Sequence, residues 1–177
     1  MPSPAVSDAQ LIARVLVNDD RHAFGELVRR HQSAVRATLR KLAGGNHALA
    51  EDLAQETFLL AYRNLRSFRQ EAKFSTWLYR IAYSRFLMQA RKRKPDEPLD
   101  DWDGTTPSSE GQAQARIDLE RAMKKLAPAE SAALTLCFAL GLSNTEAADT
   151  MQIPLGTLKS HVLRGREKLK VILGDQS

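Results

Sequence analysis

The chain has one cysteine in 177 residues, Cys137. That excludes an internal disulfide framework and fits a reducing compartment. Aromatics are scarce at 6%, and Val and Ile are few beside Ala, Leu, Arg and Glu, a mix that favours helix over sheet. No apolar run approaches the ~20 residues that span a bilayer. The opening MPSPAVSDAQ has neither a basic n-region nor an apolar h-region, so neither a secretory signal nor membrane insertion is expected. His22, His31, His47 and His161 sit on unrelated segments without metal-ligand spacing. Cys137, inside LTLCFAL, reads as core rather than nucleophile, and no Gly-rich phosphate loop occurs. The expectation is therefore no enzyme, no metal and no cofactor, in a cytoplasmic helical protein.

What is present is apolar content of 43%, enough for real cores, and an excess of 26 Lys+Arg over 21 Asp+Glu. The charge is unevenly spread. Residues 1–94 hold 17 basic and 8 acidic residues, 95–115 hold no basic and 6 acidic, and 116–177 hold 9 and 7. The middle piece, PDEPLDDWDGTTPSSEGQAQA, has no amphipathic period and reads as a flexible acidic linker. The expected architecture is all-α: helical domains at 1–94 and 114–177, joined by a linker at 95–113. A net positive N-terminal domain implies an anionic partner.

Apolar spacing predicts helices at about 7–18, 20–43, 47–67 and 74–93, then at 114–126, 129–140, 143–151 and 156–173. Ser7 or Asp8, Asp19 or Asp20, and Ser143 or Asn144 are candidate caps. Pro128 suits a first helical turn.

The segment SNTEAADTMQIPLGTLKSHVLRGR, residues 143–166, has the pattern of a helix-turn-helix. Small Ala147 and Ala148 let a second helix approach, and Ile153 fills the turn. Leu158 and Val162 point inward at i and i+4. Thr157, Lys159, Ser160, His161, Arg164 and Arg166 lie on the other side as donors for a DNA major groove. An ordinary helical hairpin with a solvated basic face is the alternative. Gln152 stands where such turns often carry Gly, and Gly165 costs the last helix about 1 kcal/mol relative to Ala.

Two N-terminal signals accompany it. In AEDLAQETFLLAYRNL (50–65), Asp52, Gln55, Glu56 and Leu59 share one helical stripe, and Leu49, Leu53 and Leu60 an adjacent one. An acidic stripe in a basic domain suggests a docking site for a basic protein partner; a solvated helix face is the plainer reading. In residues 67–94, aromatics Phe68, Phe74, Trp77, Tyr79, Tyr83 and Phe86 interleave with basic residues. That suits single-stranded nucleic acid, although Trp77, Leu78, Ile81 and Ala82 equally suit a core.

Taken in order, AEDLAQETF, FSTWLYRIA, the acidic linker and IPLGTLKSHVLRGREKL resemble the extracytoplasmic-function sigma factors of bacterial RNA polymerase, over about residues 8–172. The resemblance implies a region 2-like domain at 1–94 and a region 4-like domain at 114–177. It implies that Asp52, Gln55, Glu56 and Leu59 contact core RNA polymerase. It assigns −10 promoter DNA to Phe68, Arg69, Gln70 and Lys73, near a flipped base, and to Arg80, Tyr83, Ser84 and Arg91 along the strand. It assigns the −35 element to Lys159, Ser160, His161 and Arg164, with Thr157 and Arg166 on the same helix. The linker would follow the path of nascent RNA as a polyanion mimic. An anti-sigma factor is a further partner in many relatives, though no residue here is assigned to it.

The chain departs from the family pattern at Ser84 and Met88, where Asn and Asp are frequent, at Ala147, where a larger aliphatic is usual, and at His161, where Arg is common. These positions bear on base preference. The rival reading is a one-component helix-turn-helix regulator without sigma activity. It would need a ligand or phosphoacceptor domain or a dimer helix, and residues 1–94 have no receiver pattern.

Overall fold

The computed structural model describes residues 6–92 and 110–174, and the expected linker falls largely outside them. Among the described residues there are eight α-helices and no strand. They are α1 (Asp8–Asn18), α2 (Arg21–Leu42), α3 (His47–Asn64), α4 (Phe74–Lys92), α5 (Glu110–Lys124), α6 (Pro128–Leu134), α7 (Asn144–Met151) and α8 (Leu155–Gly174). A short 3₁₀ turn, Leu65–Ser67, continues α3, and a π turn, Thr135–Ala139, continues α6.

Local chemistry sets the helix starts. Ser7 caps α1 reciprocally with Gln10: the Ser7 hydroxyl accepts the Gln10 N–H at 3.3 Å, and Gln10 Oε1 accepts the Ser7 N–H at 2.8 Å. Asp20 caps α2 by accepting the Ala23 N–H at 3.0 Å, and Asn46 caps α3 through the Leu49 N–H at 2.9 Å. Ser143 and Glu146 repeat the reciprocal box at α7. Between α1 and α2 the chain turns through Asp19 in the left-handed region, φ 49°.

α5 begins at Glu110, four residues ahead of the expected Gln114, so residues 110–113 belong to a helix rather than the linker. The strong helix formers of QAQAR outweigh the single Gly111. The helix expected to run unbroken to Leu140 instead shifts to i→i+5 bonding, with the Leu140 N–H on the Thr135 carbonyl at 3.2 Å. Gly141, at φ 67°, then ends it.

The N-terminal core is built by Leu11, Ile12 and Val15 of α1, Leu27, Val35 and Leu39 of α2, Leu53 and Ala61 of α3, and Phe74, Leu78 and Ala82 of α4. Ion pairs fasten its rim. Asp8 meets Arg30 at 3.1 Å and His31 at 2.7 Å, and Glu51 of α3 meets Arg36 at 2.9 Å and Arg40 at 3.1 Å on α2. The second core holds Ala132, Ala133, Leu136, Ala147, Ala148, Met151 and Leu158. It is not confined to the C-terminal helices: Tyr83 is buried within it, and Leu42, Phe86 and Leu87 pack against it. The two helical units therefore meet along α4 and α7.

Candidate nucleic-acid interface

α3 buries Ala50, Leu53, Ala54, Thr57 and Ala61 and turns Asp52, Gln55 and Glu56 to solvent. Leu59 extends the same stripe and is 51% exposed, an apolar group left uncovered beside two carboxylates. Of the adjacent stripe, Leu53 is buried while Leu49 and Leu60 are half-buried. Beyond Leu59 an apolar groove runs between α2 and α3, lined by Arg21, Phe24, Phe58 and Tyr62, with the Phe24 and Tyr62 rings edge to face at 4.9 Å. Glu56 is not free: Arg85 of α4 reaches it at 2.6 Å. The pairing joins residues 29 apart, so no helical spacing rule points to it.

The loop at 68–73 is hung from an aromatic cluster. Phe68 lies 5.5 Å from Phe74 and 5.3 Å from Trp77, ring centre to centre. Phe68 is thus half-buried against the core, while Arg69, Gln70 and Lys73 are exposed on the loop it anchors. Along α4, Ser84 and Arg91 are open to solvent. Lys73, Arg80 and Tyr83 are engaged by α7 instead. Lys73 meets Glu146 at 3.2 Å, Arg80 meets Asp149 at 2.8 Å, and Tyr83 is only 6% exposed. Burial pushes the Tyr83 phenol above its ordinary range.

In the C-terminal unit, α7 and α8 form a helix-turn-helix. Ala147 and Ala148 are buried, Gln152 adopts φ 56° at the turn, and Leu158 is fully enclosed. The Gln152 amide donates to the Asp149 carbonyl at 2.7 Å, a local bond that helps a non-glycine residue hold the left-handed region. At 100° per residue, Thr157, Ser160 and Arg164 fall within roughly 60° on the outer face of α8. The Ser160 hydroxyl donates to the Gly156 carbonyl at 3.0 Å. His161 is half-buried on one flank and lies 3.0 Å from Arg164 Nη2 through Nδ1. Lys159 and Arg166 lie on the other flank, with the Arg166 guanidinium 5.9 Å from the centre of the exposed Phe138 ring. The six α8 residues therefore occupy three arcs of one helix rather than a single row.

The sequence reading did not single out Glu130. It is 4% exposed and accepts from Lys168 Nζ at 2.8 and 3.0 Å and from the Ala127 N–H at 3.2 Å, with Arg164 Nε at 3.5 Å. The Lys168 contact holds its carboxyl below the ordinary range, against the opposing pull of burial. Glu130 thereby ties α6 to α8 and fixes the basic helix. The one legible signal was its place two residues after Pro128, where an N-terminal turn favours a carboxylate. Gly165 explains itself in the same place. A Cβ there would stand 2.9 Å from Leu134 Cδ1 and 3.4 Å from Glu130 Cβ, so the glycine is what lets α8 lie against α6.

Among the described residues no group of His, Cys, Asp or Glu could hold a metal ion, and no helix is long and apolar enough to cross a membrane. Residues 27–95 match the family model Sigma-70 region 2, and residues 116–169 match Sigma-70, region 4. The chain is 35% identical to the ECF RNA polymerase sigma factor SigW of Bacillus subtilis, over 88% of this chain and 91% of that one. It is 34% identical to the ECF RNA polymerase sigma-E factor of Haemophilus influenzae, over 93% and 94%. Its fold is similar to that of the sigma factor RpoE of Bartonella quintana, solved in complex with the anti-sigma factor NepR. There the TM-score is 0.70, with 29% identity over 85% of this chain and 96% of that one.

Proposed function

Because the chain belongs to the ECF RNA polymerase sigma factors, we propose that three of its surfaces divide the work of promoter-directed initiation among named residues. As a sigma factor it binds core RNA polymerase, directs it to promoters and initiates transcription; it is not an enzyme. Residues 1–94 serve docking and the −10 element, the acidic segment that ends ahead of α5 is the linker, and α5 to α8 serve the −35 element. The cytoplasm, where polymerase works, is its compartment.

Asp52, Gln55, Glu56 and Leu59 form the polymerase-docking stripe. The observation that supports this is the exposed Leu59 at the end of a carboxylate row: an apolar centre with a charged margin suits a protein interface. The loop at 68–73 receives an extruded −10 base. Anchored by Phe68, it presents Arg69, Gln70 and Lys73 as donors, and Arg80, Tyr83, Ser84 and Arg91 follow the strand along α4. α8 reads the −35 element through Thr157, Lys159, Ser160, His161 and Arg164, with Arg166 toward the backbone phosphates. An anti-sigma factor is a further partner, on the likeness to the Bartonella quintana protein found with one.

The observation that carries the reading is the order of the two matched regions, the second of which spans a helix-turn-helix with an exposed basic face. Run-off transcription with core enzyme tests it. Discrete products that require the chain support the reading. Products that appear only when another sigma factor is supplied would make it a helix-turn-helix regulator.

A further inference from the structure

The loop at 68–73 is gripped at both ends by one group of rings, and that group is tied to the first turn of α1. Phe68 opens the loop and Phe74 follows it, 5.5 Å apart ring centre to centre, with Trp77 5.3 Å from the one and 5.7 Å from the other. Phe74 also meets the ring of His31 on α2, edge to face at 5.3 Å and 74°. The His31 side chain is only 17% exposed. An apolar ring beside Phe74 would need no polar partner; this one has Asp8 of α1, whose Oδ2 lies 2.7 Å from His31 Nε2. An ionised carboxylate only accepts, so Nε2 carries the proton, and the bond fixes the tautomer and orientation of the imidazole. Asp8 is steadied in turn by Arg30 at 3.1 Å, which also donates to the Val6 carbonyl at 2.7 Å. α1 packs as well on the turn Leu65–Ser67 that leads into the loop. Asp8 itself lies outside the residues 27–95 matched to region 2.

We propose that Asp8 and His31 are positioning residues for base choice at the −10 element. Asp8 aims the imidazole, the imidazole sets Phe74, and Phe74 with Phe68 sets the span on which Arg69 and Gln70 are presented. The proposal rests on the assignment of this loop to the extruded base. A pocket discriminates between bases only while its donors are held within about 0.5 Å of the productive geometry. Without Asp8 the imidazole is free to turn, Phe74 loses a fixed neighbour, and the donors of the loop spread over several positions. Selectivity then falls, while overall affinity, carried by phosphate contacts that do not read sequence, changes little. α1 thus contributes to base choice without a place on the strand.

The test uses the full chain bound to core polymerase. This holoenzyme captures a 20-nucleotide single strand randomised at its central positions, and the captured strands are sequenced. The readout is the ratio of the most to the least favoured base at the most selective position. Asp8→Ala should lower that ratio about fourfold, with the amount of strand captured within about twofold of the parent. Asp8→Asn keeps an oxygen that accepts from Nε2 and should restore the ratio. His31→Ala removes the ring itself and should lower the ratio at least as far as Asp8→Ala. Arg30→Ala also loosens α1 but leaves the bond between Asp8 and His31, so it should keep the parental ratio. In a Trp102→Phe background Trp77 is the single tryptophan. Its quenching by acrylamide, without DNA, should rise with Asp8→Ala and return with Asp8→Asn. A folded Asp8→Ala chain with the parental ratio would overturn the proposal, as would an Arg30→Ala chain that matches its loss. So would an Asp8→Asn chain that restores nothing. If Asp8→Ala fails to fold, a folded His31→Ala chain with the parental ratio overturns it instead. A parent holoenzyme with no base preference removes the assignment of the loop and this proposal with it. A parent that selects a base, and an Asp8→Ala chain that selects it equally, remove this proposal alone.

Discussion

Gly165→Ala sets two effects of comparable size against each other. Helix propensity alone makes the change favourable, since Gly in a helix interior is about 0.8–1.0 kcal/mol worse than Ala. The packing opposes it. The new Cβ would lie 2.9 Å from Leu134 Cδ1, 3.3 Å from Leu134 Cγ and 3.4 Å from Glu130 Cβ. Leu134 is itself buried and Glu130 is held by Lys168, so neither side chain yields freely. Overpacking of this kind costs about 1–3 kcal/mol. The balance is a net loss of up to about 2 kcal/mol, and a larger residue such as Val loses more because it also gives up the propensity gain. Urea denaturation of the full chain, followed by helical circular dichroism, measures it. A second variant checks the cause: Leu134→Ala removes the obstructing atoms, so Gly165→Ala should be neutral or stabilising in that background, a coupling visible in a double-mutant cycle. A Gly165→Ala chain more stable than the parent by the full propensity gain would refute the close approach of α6 and α8.

Three further outcomes follow from the same geometry. Replacing Asp52 and Glu56 together with Ala should abolish capture of core polymerase in a pull-down while lowering stability by no more than about 1 kcal/mol, because among the described residues the one ion pair lost is the surface contact of Glu56 with Arg85. Glu130 has a lowered folded-state pKa, so its contribution to stability is complete above the ordinary carboxylate value of 4.5. That contribution is lost as pH falls below this value and through the folded one. Glu130→Gln should be less stable than the parent at pH 7 and converge with it in acid, as read by melting temperature against pH. Arg164→Ala should weaken −35 duplex binding, and His161→Arg should shift preference at one or two base pairs, each by about 1–3 kcal/mol in a competition assay.

Much of the fold is legible along the chain because its causes are local. Ser7, Asp20, Asn46 and Ser143 cap helices by reaching three residues ahead, and Leu11, Ile12 and Val15 bury at helical spacing. Asp52, Gln55, Glu56 and Leu59 share a stripe for the same reason. What stayed hidden depends on partners distant in sequence. Arg85 reaches Glu56 from another helix, Lys168 reaches Glu130 across 38 residues, and Arg80 reaches Asp149 across 69. Gly165 looked like a cost to α8 because helix propensity sees one helix, whereas its use lies in the contact with α6. Tyr83 illustrates the limit for the site: interleaving with arginines marks it as a base-stacking candidate, but only tertiary packing buries it under α7.

Mapping the RNA 5′ ends that purified core polymerase makes on genomic DNA, with and without this chain, tests its sigma activity most directly. A sigma factor of this build should give discrete start sites that require the chain and share two upstream elements at fixed spacing, one read by α8 and one melted against α4. Starts that are scattered, or identical in the absence of the chain, would contradict it.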